Sequence, residues 1–204
     1  MHASAARHAP TRVPDYAVHA CRAALACMKA TDALYASKAW EGLPPLTTRY
    51  GLHASRVLVG NFGAPTRLTY TALGDGVNLA ARLEPLCKQY GVVTLVSETI
   101  VASAKEDFVF RRIDRVAVKG KTEGIDVYEL LGAKGDDIEA LPRARRYEEA
   151  FAAYLARDFD RAIMLVEPHA KDDPPSAVLA ERCRKLAAQP PPASWRGVHV
   201  ASSK

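Results

Sequence analysis

Aromatic residues make up only 7% of the 204 positions, and no run of the sequence resembles a recognised nucleic-acid-binding module. The formal net charge of +5 is therefore not read as a nucleic-acid footprint. Cysteine is also scarce, with four in all: Cys21, Cys27, Cys87 and Cys183. No CxxC pair exists, and the six-residue spacing of the first two would not put them on one helical face. That pattern excludes a disulfide framework and fits small buried hydrophobes in a reducing compartment. No apolar run approaches the ~20 residues of a membrane span, and the N-terminal stretch lacks the apolar core of a signal peptide. The expected location is the cytoplasm, with no direct membrane contact in this segment.

What the chain has is the balance of a soluble globular protein, 49% hydrophobic and 25% charged residues. Its length suits one domain with an appendage. The positive charge suits an anionic partner, a nucleoside triphosphate among them.

Along the chain, residues 1–14 read as a loose polar end. Helical spacing then links Val18, Cys21, Leu25, Met28 and Tyr35, with Asp15 placed to cap. Gly42-Leu43-Pro44-Pro45 breaks that helix. Short strands are predicted over 46–52, 57–62 and 68–73. A helix is predicted from Asp75, as cap, to a stop at Tyr90-Gly91. A strand over 92–96, a short helix capped by Ser97, and strands over 108–113, 116–118 and 125–131 follow. Strands and helices interleave, so the class is mixed α and β. Residues 133–142 read as a linker and 143–188 as a helical extension, with Asp173-Pro174-Pro175 starting its last helix. Tyr147, Ala150, Tyr154, Phe159, Ala162 and Val166 have the small/aromatic spacing of a tetratricopeptide-like hairpin, too short to form a solenoid. Residues 189–204 read as an extended, Pro-rich and poorly ordered tail.

The chemistry concentrates in Tyr70-Thr71-Ala72-Leu73-Gly74-Asp75-Gly76-Val77-Asn78-Leu79-Ala80-Ala81-Arg82-Leu83-Glu84. A strand ends at a glycine turn and a helix begins. Asn78 and Arg82, four apart, share one helical face near its start. Together they make a hydrogen-bonding, cationic patch. Spacing alone favours the plainer reading, an exposed capping turn with an ordinary surface arginine.

The run closely resembles the signature of class III adenylate and guanylate cyclases, Tyr-Thr-x-x-Gly-Asp-x-Val-Asn-x-Ala-x-Arg-Leu. Val59-Gly60-Asn61-Phe62-Gly63 before it, and Val118-Lys119-Gly120-Lys121 and Val127-Tyr128-Glu129-Leu130 after it, match in the same order, so the resemblance covers residues 15–132. It implies an α+β fold, an incomplete ferredoxin-like cyclase core followed by the helical extension. It implies conversion of ATP to 3′,5′-cyclic AMP and pyrophosphate, with Mg²⁺ or Mn²⁺ in the parent enzyme. By the same resemblance Asn78 orients the ribose, Arg82 stabilises charge on the α-phosphate, Lys119 grips the triphosphate, and Thr71 occupies a purine-reading place of the bacterial adenylate type. The site would form between two protomers, in a homodimer or with a complementing cyclase chain. The trailing helices resemble the extension of bacterial cyclases with an upstream sensor, through which a parent protein can be membrane-anchored.

The match also has gaps. The family's metal-binding aspartates and purine-binding lysine belong to strands that precede the matched part, and no aspartate in this chain takes their place. Asp15 falls at a helix start and is not a metal ligand. The chain alone is therefore expected to be inactive, and sheet edges normally covered by those strands to be exposed. Gly51-Leu52-His53-Ala54-Ser55-Arg56 stands where the family reads Gly-x-His-x-Gly-Glu, and His53 reads as structural. A guanylate cyclase and a non-catalytic, cyclase-like interaction module are the alternatives.

Overall fold

A computed structural model of the chain describes residues 13–37, 40–44, 47–64, 66–117 and 124–199. Helix α1 (Tyr16–Tyr35) leads into strand β1 (Tyr50–Leu52) and an antiparallel ribbon of β2 (Leu58–Ala64) and β3 (Arg67–Leu73). Helix α2 (Asp75–Tyr90), strand β4 (Thr94–Ser97), helix α3 (Glu98–Ala104) and the long strands β5 (Phe108–Val116) and β6 (Ile125–Ala133) follow. Helices α4 (Leu141–Leu155), α5 (Phe159–Val166) and α6 (Pro174–Ala188) precede a short strand β7 (Val198–His199). The fold is α+β. One sheet has the order β1-β4-β6-β5-β7, and β2–β3 forms a separate two-stranded sheet.

Strand alternation gives the large sheet two apolar faces. Leu95, Ile113, Val116 and Val127 pack with α2 and α4–α6, whereas Val96, Phe108 and Leu130 pack with α1 and α3. On α1 the buried positions are the small residues Ala17, Cys21 and Ala24. Of the predicted stripe only Cys21 is buried; Val18, Leu25, Met28 and Tyr35 are half-buried. Small side chains let the helix lie close to its neighbours, and larger ones fall at the margins.

Of the three predicted caps, Asp15 and Ser97 hold the N-cap positions without a side-chain capping bond, and Asp75 is displaced by one residue. Asp15 has a left-handed backbone (φ 54°), and its side chain makes no capping bond. The cap of α2 is Gly74 rather than Asp75, which opens the first turn and there complements the helix dipole. Ser97 does precede α3, but its hydroxyl turns away to His53 and Thr99 instead of capping.

Beyond residue 132 the helices share one core with the sheet. Tyr147, Ala150, Phe151, Tyr154, Phe159, Ala162, Val166, Leu179 and Cys183 are buried in the same cluster as Leu83, Tyr90 and Ile113. Ion pairs seal the junction. Arg111 on β5, 3% exposed, donates to Glu129 on β6 at 2.5 Å and to Asp173 ahead of α6 at 2.8 Å. Arg112 and Arg115 hold Asp126 at 2.7 and 2.8 Å. Burial by itself would push the Asp126 carboxyl up, but hydrogen bonds from Arg115 and Arg112 outweigh it and hold it below the usual range.

The tail departs from the expected loose end. Trp195 stands edge-on to Tyr154 and Phe159, with centroids 5.0 and 6.0 Å away. Val198–His199 then pairs in parallel with Arg115–Val116 of β5. The aromatic anchor and a free sheet edge outweigh the extended preference of the prolines before them. Cys21, Cys87 and Cys183 are buried as expected, and Cys27 is exposed. Among the described residues no helix is long and apolar enough to cross a membrane.

Candidate nucleotide site

The site begins where β3 hands over to α2. Gly74 has φ 152° and ψ 163°, a region that in practice only glycine adopts. The strand can therefore turn into the helix within one residue. Leu79, Leu83, Leu86, Cys87 and Tyr90 bury the inner face of α2. Asn78 and Arg82 lie on the outer side, both exposed. Arg82 makes no ion pair among the described residues, so its guanidinium is available to an incoming anion.

Thr71 lies on β3, opposite Gly60 of β2, and is exposed. The glycine leaves the strand surface beside Thr71 without a cross-strand side chain. The structure therefore sets Thr71, Asn78 and Arg82 on consecutive elements with all three side chains open. Lys119 and the rest of Val118-Lys119-Gly120-Lys121 lie outside the described residues.

Two close approaches that the sequence reading missed fix the first half of α2. A Cβ on Gly51 would fall 2.7 Å from Leu83 Cβ and 2.9 Å from the Ala80 carbonyl oxygen, so β1 lies directly against the helix backbone. A Cβ on Gly76 would overlap the Ser55 hydroxyl. Ser55 thus fits because position 76 has no side chain. A glycine inside a helix start was the available signal. His53 is structural: its Nδ1 lies 2.8 Å from Ser97 Oγ and 3.4 Å from Thr99 Oγ1, tying this segment to β4 and α3.

Among the described residues no group of three or more His, Cys, Asp or Glu side chains is placed to hold a metal ion. These residues do not by themselves fit a divalent-metal centre. The buried thiols are also unsuited to chemistry, since burial pushes Cys21 and Cys87 up to about 12.

The model of the adenylate and guanylate cyclase catalytic domain matches residues 4–132. The chain belongs to this family. It is 41% identical over 125 residues to adenylate cyclase 1 of Rhizobium meliloti, covering 61% of this chain and 19% of that protein. It is 29% identical over 175 residues to the terminal-differentiation specific adenylate cyclase of Dictyostelium discoideum, covering 82% of this chain and 8% of that protein. The chain thus spans under a fifth of these two relatives' length. Among solved structures it is similar to the adenylyl cyclase CyaB from P. aeruginosa, with TM-score 0.54 and 29% identity over 63% of this chain and 65% of that one. The cyclase domain accounts for β1 and β4–β6 of the large sheet, α1–α3 and the ribbon. The family match ends at residue 132, so α4–α6 and β7 are additions to it.

Proposed function

We propose that this chain supplies one half of an adenylate cyclase site, converting ATP to cyclic AMP and pyrophosphate together with a second protomer. The observation that carries the reading is the exposed Asn78/Arg82 pair on one face of α2, next to a glycine turn that delivers Thr71. In the proposed roles, Asn78 orients the ribose so that its 3′-oxygen faces the α-phosphate. Arg82 stabilises negative charge that grows on that phosphate during displacement, acting through a fixed guanidinium rather than a proton transfer. Thr71 offers a hydroxyl to the purine edge, and Lys119 would hold the triphosphate. The divalent ions that the family chemistry implies, Mg²⁺ or Mn²⁺, would be held by side chains other than those described, and would supply activation of the attacking oxygen.

A second protomer also suits the surface. Leu58, Leu68, Tyr70 and Leu73 on the β2–β3 ribbon are 46–72% exposed. Such a set of apolar side chains on one ribbon needs a cover. In this reading the partner is a homologous cyclase chain, the compartment is the cytoplasm, and nucleic acid and membrane take no part.

The test is complementation. A cyclase protomer that keeps its metal-binding aspartates but carries alanine at the positions matching Asn78 and Arg82 is mixed with this chain, and cyclic AMP is assayed with ATP and Mg²⁺ or Mn²⁺. Product from the mixture, and none from either chain alone, supports the reading. Association in a pull-down without product contradicts it. Product from this chain alone would contradict the half-site assignment.

A further inference from the structure

The last turn of α2 is gripped by residues that the cyclase domain does not include. Tyr90, 1% exposed, donates its hydroxyl to Asp114 Oδ2 at 2.5 Å. Asp114 is fully buried, and the same oxygen accepts from Arg182 of α6 at 2.6 Å. Arg182 also lies over the ring of Tyr154, 5.8 Å from its centroid. Next to Tyr90, Gln89 Nε2 meets His199 Nε2 of β7 at 3.2 Å. A Cβ on Gly91, the left-handed cap of α2, would fall 2.4 Å from Pro174 Cβ. Two elements after residue 132, α6 and β7, thus close on the consecutive residues Gln89, Tyr90 and Gly91 at the end of the helix.

The anchor matters because α2 carries Asn78 and Arg82. Arg82 and Tyr90 are eight residues apart, about 12 Å along the axis. Pro85 lies between them and removes one helical hydrogen bond, so the direction of the first half depends on side-chain anchors at both ends. Gly76 serves the start of the helix, Gly51 its middle at Ala80, Leu83 and Glu84, and the Tyr90–Asp114–Arg182 chain its end. A buried carboxylate held by three donors, with Tyr90 and Arg182 on Oδ2 and the Arg115 backbone N–H on Oδ1, gives that end a single geometry. Without Arg182 the charge on Asp114 lacks its counter-ion, and the arrangement must relax.

We propose that Arg182 is a positioning residue which, through Asp114 and Tyr90, fixes the axis of α2 and so the alignment of Asn78 and Arg82; the added helices are then part of the site's framework. The link to catalysis rests on the proposed cyclase reading, whereas the link to α2 does not. The experiment uses the full chain with Arg182→Met, Arg182→Lys and Tyr90→Phe, the last keeping the ring and losing only the hydroxyl. Arg184→Met, at an exposed pair with Glu167, is the control. Hydrogen exchange is measured by mass spectrometry on peptides within 75–84. Arg182→Met and Tyr90→Phe are expected to speed exchange there by about tenfold, the scale of one hydrogen bond to a charged group. Arg182→Lys should recover part of the protection, and the control should match the parent chain. In the mixed dimer, kcat should fall by about tenfold or more while KM for ATP stays within about twofold, as misplacement of about 1 Å can cost about 10²-fold.

Exchange that rises only in 174–188 and not in 75–84 overturns the proposal, because Arg182 would then merely attach α6. Faster exchange in 75–84 with unchanged kcat overturns the catalytic alignment. If the parent chain gives no product in the mixed dimer, the cyclase reading fails, and exchange alone then decides whether Arg182 positions α2. If Arg182→Met does not fold, Tyr90→Phe carries the same comparison.

Discussion

Replacing Arg111 by methionine removes one cation from between two carboxylates while keeping most of the side chain's volume. Arg111 is 3% exposed and Glu129 and Asp173 are largely sheltered, with side-chain exposures of 16% and 3%. Burial disfavours the Arg111 charge, yet Glu129 and Asp173 together hold its pKa above the ordinary value. Burial likewise pushes the Glu129 carboxyl up, and Arg111 pulls it only part of the way back. Breaking such a buried pair costs about 3–5 kcal/mol. In a domain of this size that corresponds to a fall in Tm of about 10 °C. The pH dependence carries the sharper test. With Arg111 gone, Glu129 in the folded chain should titrate higher still, against 4.5 for an unperturbed glutamate. Between the two values the folded state binds more protons than the unfolded state, so stability falls as pH rises. The deficit of the variant should therefore be largest near neutrality and shrink on acidification toward the unfolded value. Urea unfolding of both chains at several pH values measures it. A loss below about 1 kcal/mol, or one that grows as pH falls, would refute the reasoning.

Three further outcomes follow from the same structure. Burial first, and the Arg182 charge second, lower the pKa of His199 from 6.5; the folded state thus resists protonation, and stability should drop as pH falls below 6.5. The drop should be smaller in His199→Gln, read as Tm from pH 8 to 5. Gly51→Ala forces a methyl against Leu83 and the α2 backbone, and should cost about 1–3 kcal/mol in urea unfolding; a neutral result would mean that β1 and α2 are not in close contact. In the mixed dimer, Thr71→Cys should lower the ratio of kcat/KM for ATP over GTP by about tenfold, and an unchanged ratio removes Thr71 from purine reading.

The parts legible in the sequence are those set by local chemistry. Gly74-Asp75 announced the start of α2, Tyr90-Gly91 its end, and Asp173-Pro174-Pro175 the start of α6, since each depends on backbone preferences of the residues themselves. Helix α1 was found but its buried face was misjudged, because close approach to α3 and the sheet selects Ala17 and Ala24 over larger neighbours. The charges of β5 were least legible. Strands were expected over 108–113 and 116–118, whereas β5 runs unbroken through Arg111, Arg112, Asp114 and Arg115, and α4 and α6 supply Tyr147 and Arg182 to these charges. Such a network needs partners up to 68 positions away, a separation no local pattern encodes. The return of the tail was hidden for the same reason: Trp195 finds its ring partners only once α4 and α5 are packed. In the candidate site, the signature singles out Asn78, Arg82 and Thr71 as candidates, while the supports at Gly51, Gly76 and Tyr90 emerge from packing.

The most direct measurement compares this chain with its Arg82→Ala form in the complementation mixture, at equal amounts of associated heterodimer. Arg82 is exposed on α2 and makes no ion pair among the described residues, so its removal should leave folding and association intact. If it stabilises charge on the α-phosphate, kcat for cyclic AMP formation should fall by about 10²–10³, the usual effect of losing one electrostatic donor to a transition state. Equal rates from the two heterodimers would contradict the role of Arg82, and with it the claim that this chain furnishes the nucleotide-facing half of a cyclase site.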